Sequence, residues 1–167
     1  MNKIFLASTL LVSLFATATQ AATVEAYAVA TVQAGGPRTG SSGTNYFNIE
    51  GSNNGSFASY GVARFNLGAM KSNFDAQYGV GGWVVDSVVL ELVQSNASFT
   101  ANGNVGIYFS QDDAVSIANT GGSPLAYPFG GDFPDAELIS SFAFAKVATG
   151  TLENHTLYTT GGANSCR

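Results

Sequence analysis

Apolar and polar residues alternate with a period of two along most of this chain, the spacing of a strand with one buried and one solvated face. Residues 24–32 (Val-Glu-Ala-Tyr-Ala-Val-Ala-Thr-Val) form a β-prone run without Gly or Pro. Residues 45–50 place Phe47 and Ile49 on one face. Residues 57–67 read as one long strand, with Ala63, Phe65 and Leu67 pointing one way and Val62 and Arg64 the other. Residues 83–94 carry the strongest signal, Val88, Leu90 and Leu92 alternating with Val89, Glu91 and Val93. Val105, Ile107 and Phe109 mark another strand, Phe142 and Phe144 a later one, and residues 156–159 a weak last one. Gly-, Ser- and Asn-rich stretches such as 34–44 and 51–55 separate them, because these residues turn the chain easily. Helical signal is thin. It amounts to a turn or two at 71–77 and a short helix near Asp132, which has N-cap character ahead of Pro134.

Short strands separated by turns predict an all-β chain, built as an antiparallel β-sandwich in jelly-roll order. The weak signal at 156–159 predicts that the sandwich lacks its C-terminal closing strand. The N-terminal strand would then keep an open edge prone to self-association.

The two ends read differently from the middle. Met1-Asn2-Lys3 is short and basic, residues 4–16 are uncharged and mostly apolar, and Thr19 and Ala21 are small residues suited to a signal peptidase. This is the layout of a secretory signal peptide over residues 1–21, and its apolar run is too short for a comfortable membrane span. The expected division is therefore a signal peptide at 1–21, a β-sandwich domain at 22–160 and a disordered tail at 161–167. The exported chain is expected outside the cytoplasm or on the cell surface, with no membrane span.

Composition narrows the function classes. Charged residues are only 10% of the chain, yet 46% of residues are hydrophobic and 12% aromatic, too apolar for a disordered chain. Eleven Asp and Glu outweigh six Lys and Arg for a net charge of −5, and the bases are not clustered. Nucleic-acid binding, which needs clustered cations to neutralise phosphates, is excluded on that ground. The single Cys, Cys166, forms no internal disulfide, so the core alone must hold the fold.

Arg64-Phe65-Asn66-Leu67, followed after a spacer by Val85-Asp86-Ser87-Val88-Val89-Leu90-Glu91-Leu92, resembles the DNRLRE-type domains. These are secreted β-sandwiches related to carbohydrate-binding modules. Asn45-Tyr46-Phe47-Asn48-Ile49 fits the strand before the first motif, and Asn66 stands where the family pattern has an acid. The likeness covers residues 23–110. The signal peptide with a Gly/Asn/Ser-rich body is also similar to bacterial exported proteins of the PEP-CTERM type, whose sorting tail is absent here. The resemblance implies an all-β sandwich that binds polysaccharide or sits in a cell-surface matrix.

The candidate chemistry fits a binder better than an enzyme. The one His, His155, lies in a polar setting read as a solvated loop, with no nucleophile motif nearby. Nothing pairs Glu50, Glu91 or Glu153 as hydrolase carboxylates. Aromatic side chains are the stronger lead, since an aromatic face meets a sugar's C–H surface while polar tips meet hydroxyls. The candidate ligand-binding residues are Tyr46, Tyr60, Arg64, Trp83 and Tyr108, with Tyr27, Tyr78 and Tyr127 as further aromatic positions. Arg64, a charge in an apolar strand, is expected to pair with Glu91 or Asp86. No cofactor motif is present. The loop acids Asp112, Asp113, Asp132 and Asp135 raise the expectation of a structural Ca²⁺, which takes hard oxygen ligands. The leading function is a non-catalytic polysaccharide-binding or matrix module. A carbohydrate-active hydrolase or lyase and a structural surface or filament subunit are its rivals.

Overall fold

The computed structural model describes residues 20–33, 36–37, 47–51, 58–94, 100–114, 117 and 132–160. Tyr46, Tyr127, Cys166, nearly all of the 1–21 segment and the 161–167 tail lie outside the described residues. Strands make up 46% of the described chain and every pairing is antiparallel, so the fold is all-β. The elements are β1 (Ala26–Gln33), β2 (Gly36–Pro37), β3 (Ser59–Phe65), α1 (Leu67–Tyr78), β4 (Ser87–Val93), β5 (Gly103–Phe109), β6 (Glu137–Phe144) and β7 (Leu152–Thr159). They form a three-stranded sheet in the order β2-β1-β3 and two ladders, β4-β7 and β5-β6.

The tightest packing is in the first sheet, where Ala30, Val32 and Ala58 are buried together with Thr31 and Ser59. Each buried hydroxyl is used. Thr31 Oγ1 accepts the Asn48 amide at 3.0 Å, and Ser59 Oγ donates to the Asn48 carbonyl at 2.6 Å while accepting the Glu50 amide at 3.0 Å. Residues 47–51 are thereby tied to the sheet without being a strand, and Ile49 is half exposed. The alternation in that segment reflects this docking. Phe47 lies across Gly61 of β3, where an added Cβ would sit 2.6 Å from the Phe47 ring. Gly61→Ala is therefore expected to destabilise the protein by about 1–3 kcal/mol through overpacking, read as a lowered urea midpoint. An unchanged midpoint would mean that Phe47 does not rest there.

The long strand expected over 57–67 ends at Phe65. Asn66 caps the following helix, its Oδ1 accepting the Ala69 amide at 3.4 Å, so Leu67 begins a helix instead of ending a strand. Such a cap contributes about 1 kcal/mol and turns a weak helical signal into the three turns of α1. The short helix expected at Asp132 is instead a turn, closed by the Ala136 amide on the Phe133 carbonyl at 3.1 Å, leading into β6.

The last strand is stronger than its sequence signal. β7 runs for eight residues and pairs with β4 from Val93↔Leu152 to Ser87↔Thr159. The N-terminal strand β1 pairs along its length with β3, while on its other side β2 meets only Val32 and Gln33. β6 and β7 lie side by side without a ladder between them. Phe142 and His155 stack across this seam with centroids 3.5 Å apart, and Ser140 Oγ donates to the Thr156 carbonyl at 3.5 Å. Gln94 anchors the far end, accepting the Val147 amide at 3.2 Å on its side chain and the Gly150 amide at 2.7 Å on its carbonyl.

Candidate functional site

Trp83 sits at a corner where α1 ends and the chain doubles back. Two glycines make the reversal. Gly79 and Gly81 take φ of 84° and 74°, a region that side-chain-bearing residues avoid. The Gly79 amide closes the helix on the Asp75 carbonyl at 3.0 Å, and the Gly82 amide closes the turn on the Gly79 carbonyl at 2.9 Å. Trp83 is thereby returned to the helix. Its ring meets Phe74 at 5.2 Å with a 56° tilt, and its Nε1 donates to Asp75 Oδ1 at 2.9 Å. Phe74 in turn meets Tyr78 at 6.2 Å and 48°.

The corner is polar at one end and apolar at the other. Asp75 Oδ2 is 2.5 Å from Lys71 Nζ, and this pair, followed by the Trp83 N–H, holds the Asp75 carboxyl below the usual carboxylate range. The Tyr78 hydroxyl donates to Gln20 Oε1. Val80 and Val84, close to Trp83 in the chain, are 86% and 81% exposed. The sequence marks Phe74 and Asp75 only through a helix-compatible segment carrying both, followed by a glycine-rich turn and the one Trp.

The other predicted residues gather elsewhere, around β3 and the ends of β5 and β6. The half-buried Tyr60 donates to Asp132 Oδ2 at 2.8 Å. Arg64 donates to the main-chain carbonyl of Asp113, in place of the side-chain pairing expected with Glu91 or Asp86. Asp135 accepts Ser110 Oγ at 2.6 Å and the Gln111 amide at 2.7 Å, which hold it below the carboxylate range, Ser110 first. Asp112 Oδ1 accepts the Ala114 amide at 2.8 Å. Three of the four acids thus have side chains committed to hydrogen bonds: Asp132 and Asp135 reach across the sequence to Tyr60 and to Ser110 and Gln111, and Asp112 bonds within its own loop. Among the described residues no group of three or more His, Cys, Asp or Glu is placed to hold a metal ion. The structure gives the expected Ca²⁺ site no cage there. Tyr108 closes with Leu138 over Gly106 on one face of the β5-β6 ladder, a few residues before the Ser110–Asp135 contact at the end of the same strands.

Burial first, then the Asp132 carboxylate, push the Tyr60 phenol well above the ordinary range. A raised folded-state pKa adds stability that is complete below the unfolded phenol's pKa of about 10 and is lost as pH rises through the folded value. In an alkaline titration followed by phenolate absorbance, Tyr60 is expected to ionise after the exposed tyrosines. Tyr60→Phe should remove only that late step; loss of an early step would contradict the assignment.

His155 is a strand residue and not the solvated loop residue expected. Its side chain is 15% exposed, its Nε2 lies 3.4 Å from Glu153 Oε2, and that buried nitrogen has no hydrogen bond. Among the described residues no helix is long and apolar enough to cross a membrane. No protein-family model, curated protein or solved structure matches the chain.

Proposed function

We propose that this chain is a non-catalytic, exported carbohydrate-binding module of the cell surface or extracellular matrix, and that it meets sugar at the Trp83 corner. The observation that carries the reading is an indole hydrogen-bonded to Asp75 and set against Phe74, which itself meets Tyr78, with the exposed Val80 and Val84 close by in the chain. An aromatic face fixed in advance loses little side-chain entropy on binding, and neighbouring polar tips serve hydroxyls. A sandwich architecture fits the strand arrangement. β6 and β7 lie side by side, so the antiparallel ladders β4-β7 and β5-β6 are neighbours through them.

The enzyme alternative draws less support. Tyr60 and Arg64 with nearby acids suggest a lyase set, but four residues along a strand separate them by about 13 Å. The Tyr60 proton is also held more firmly than a catalytic base allows. The test is retention of the protein on a panel of insoluble polysaccharides and a glycan array, with Trp83→Ala alongside. Retention lost in the variant supports the reading. No retention on any glycan overturns it in favour of a structural subunit, and release of sugar fragments overturns it in favour of an enzyme.

A further inference from the structure

We propose that the ligand of the Trp83 corner is a neutral, hydroxyl-rich glycan, stacked on the indole and hydrogen-bonded by the Tyr78 hydroxyl. This rests on the carbohydrate reading above and narrows it to one class of polymer and one polar contact. Three observations bear on the choice.

The first is charge. The chain carries a net −5, so its long-range field repels polyanions. The base at the corner, Lys71, is already matched by Asp75 at 2.5 Å, and Arg64 is occupied by the Asp113 carbonyl. Uronate and sulfate groups are recognised by charge-assisted, often bidentate bonds, and these cations are committed elsewhere. The second is the neighbouring sequence: Val80 and Val84, three residues before and one after Trp83, are uncharged and strongly exposed, and such apolar groups suit the C–H face of a pyranose.

The third is the acceptor of Tyr78. Gln20 lies inside the segment read as a signal peptide, so cleavage after Ala21 removes the group that Tyr78 donates to. The exported chain keeps the Tyr78 ring on Phe74 but turns its hydroxyl over to other partners. A sugar hydroxyl beside Trp83 is a fitting replacement.

The experiment uses the exported chain beginning at Ala22, checked for its β content by circular dichroism. Trp83, the one Trp, supplies the fluorescence signal. Cello-, laminari- and xylo-oligosaccharides are the neutral probes; oligogalacturonate and oligoalginate are the anionic ones. A neutral probe is expected to shift the emission, with an affinity that changes less than about twofold between low salt and molar salt. The anionic probes are expected to leave the emission unchanged. Tyr78→Phe keeps the ring and should weaken neutral binding about fivefold, the worth of one hydrogen bond. Unaltered affinity in that variant overturns the role of Tyr78. Binding of the anionic probes alone, falling with salt, overturns the inference and leaves the carbohydrate reading standing. Silence toward every probe, together with no retention on the glycan array, overturns both.

Discussion

Gly82→Ala is expected to dismantle the Trp83 corner while leaving the three sheets folded. A Cβ on Gly82 would sit 2.1 Å from the Tyr78 carbonyl oxygen, 3.1 Å from its carbon and 3.2 Å from the Gly79 oxygen. These are main-chain atoms in the last turn of α1 and the reversal after it, so no side chain can swing aside. The turn must open, and Trp83 then leaves both Phe74 and Asp75. The emission of the single Trp should move to the red, its near-ultraviolet dichroism should fall, and glycan retention should go with it. Far-ultraviolet dichroism should retain its β character, because no ladder includes residues 79–86. Gly81→Ala is the control. Nothing lies within 4 Å of its added Cβ, so it meets only the strain of a φ of 74°, about 1 kcal/mol. Its emission should stay near that of the parent. Equal emission and equal binding in Gly82→Ala and the parent would show that the turn does not place Trp83.

What the sequence disclosed and what it hid divide along locality. Period-two alternation is a property of neighbouring residues, so the strands at 26–33, 59–65, 87–93 and 103–109 were legible, down to Leu90 and Leu92 on the more buried face of β4. Trp83 looked like the first residue of a strand because Trp is β-prone and two Val follow. The capture of its N–H by Asp75, eight residues back, depends on a helix that alternation does not announce. Asn66 stands where the family pattern has an acid in a strand motif, whereas its work is to cap α1. A helix with no buried residue has little apolar periodicity to show, so only its cap and helix-forming residues could have revealed its length.

Tyr60 is the long-range case. A buried phenol needs a partner, but nothing local points to Asp132, 72 residues on. The same holds for Arg64, where a nearby carboxylate seemed the cheapest partner and a loop carbonyl supplied the bond. The polar run Glu-Asn-His-Thr hides the strand position of His155. On β7, however, Glu153 and His155 share the face that meets Leu92 and Leu90, and their neighbours Asn154 and Thr156 face solvent.

That face sets up the second large effect, Phe142→Ala. Among the described residues the β4-β7 and β5-β6 ladders are each two-stranded, and an isolated pair of strands is marginal in water. Each gains support where β6 meets β7, and the Phe142–His155 stack crosses that seam. Truncating a half-buried Phe removes its apolar burial and leaves a gap against the imidazole, at a cost of about 2–3 kcal/mol. Amide exchange in β6 and β7 should quicken together, while β1 and β3, held by their own ladder and the Thr31 and Ser59 hydroxyls, should keep their protection. His155→Phe is the informative companion. It preserves an aromatic pair and removes a buried Nε2 that has no hydrogen bond, so its melting temperature should equal or exceed that of the parent. The two variants together separate stacking from imidazole chemistry. If Phe142→Ala exchanged like the parent, the ladders would be joined by something other than this stack; if His155→Phe melted early, the imidazole would be contributing a polar bond.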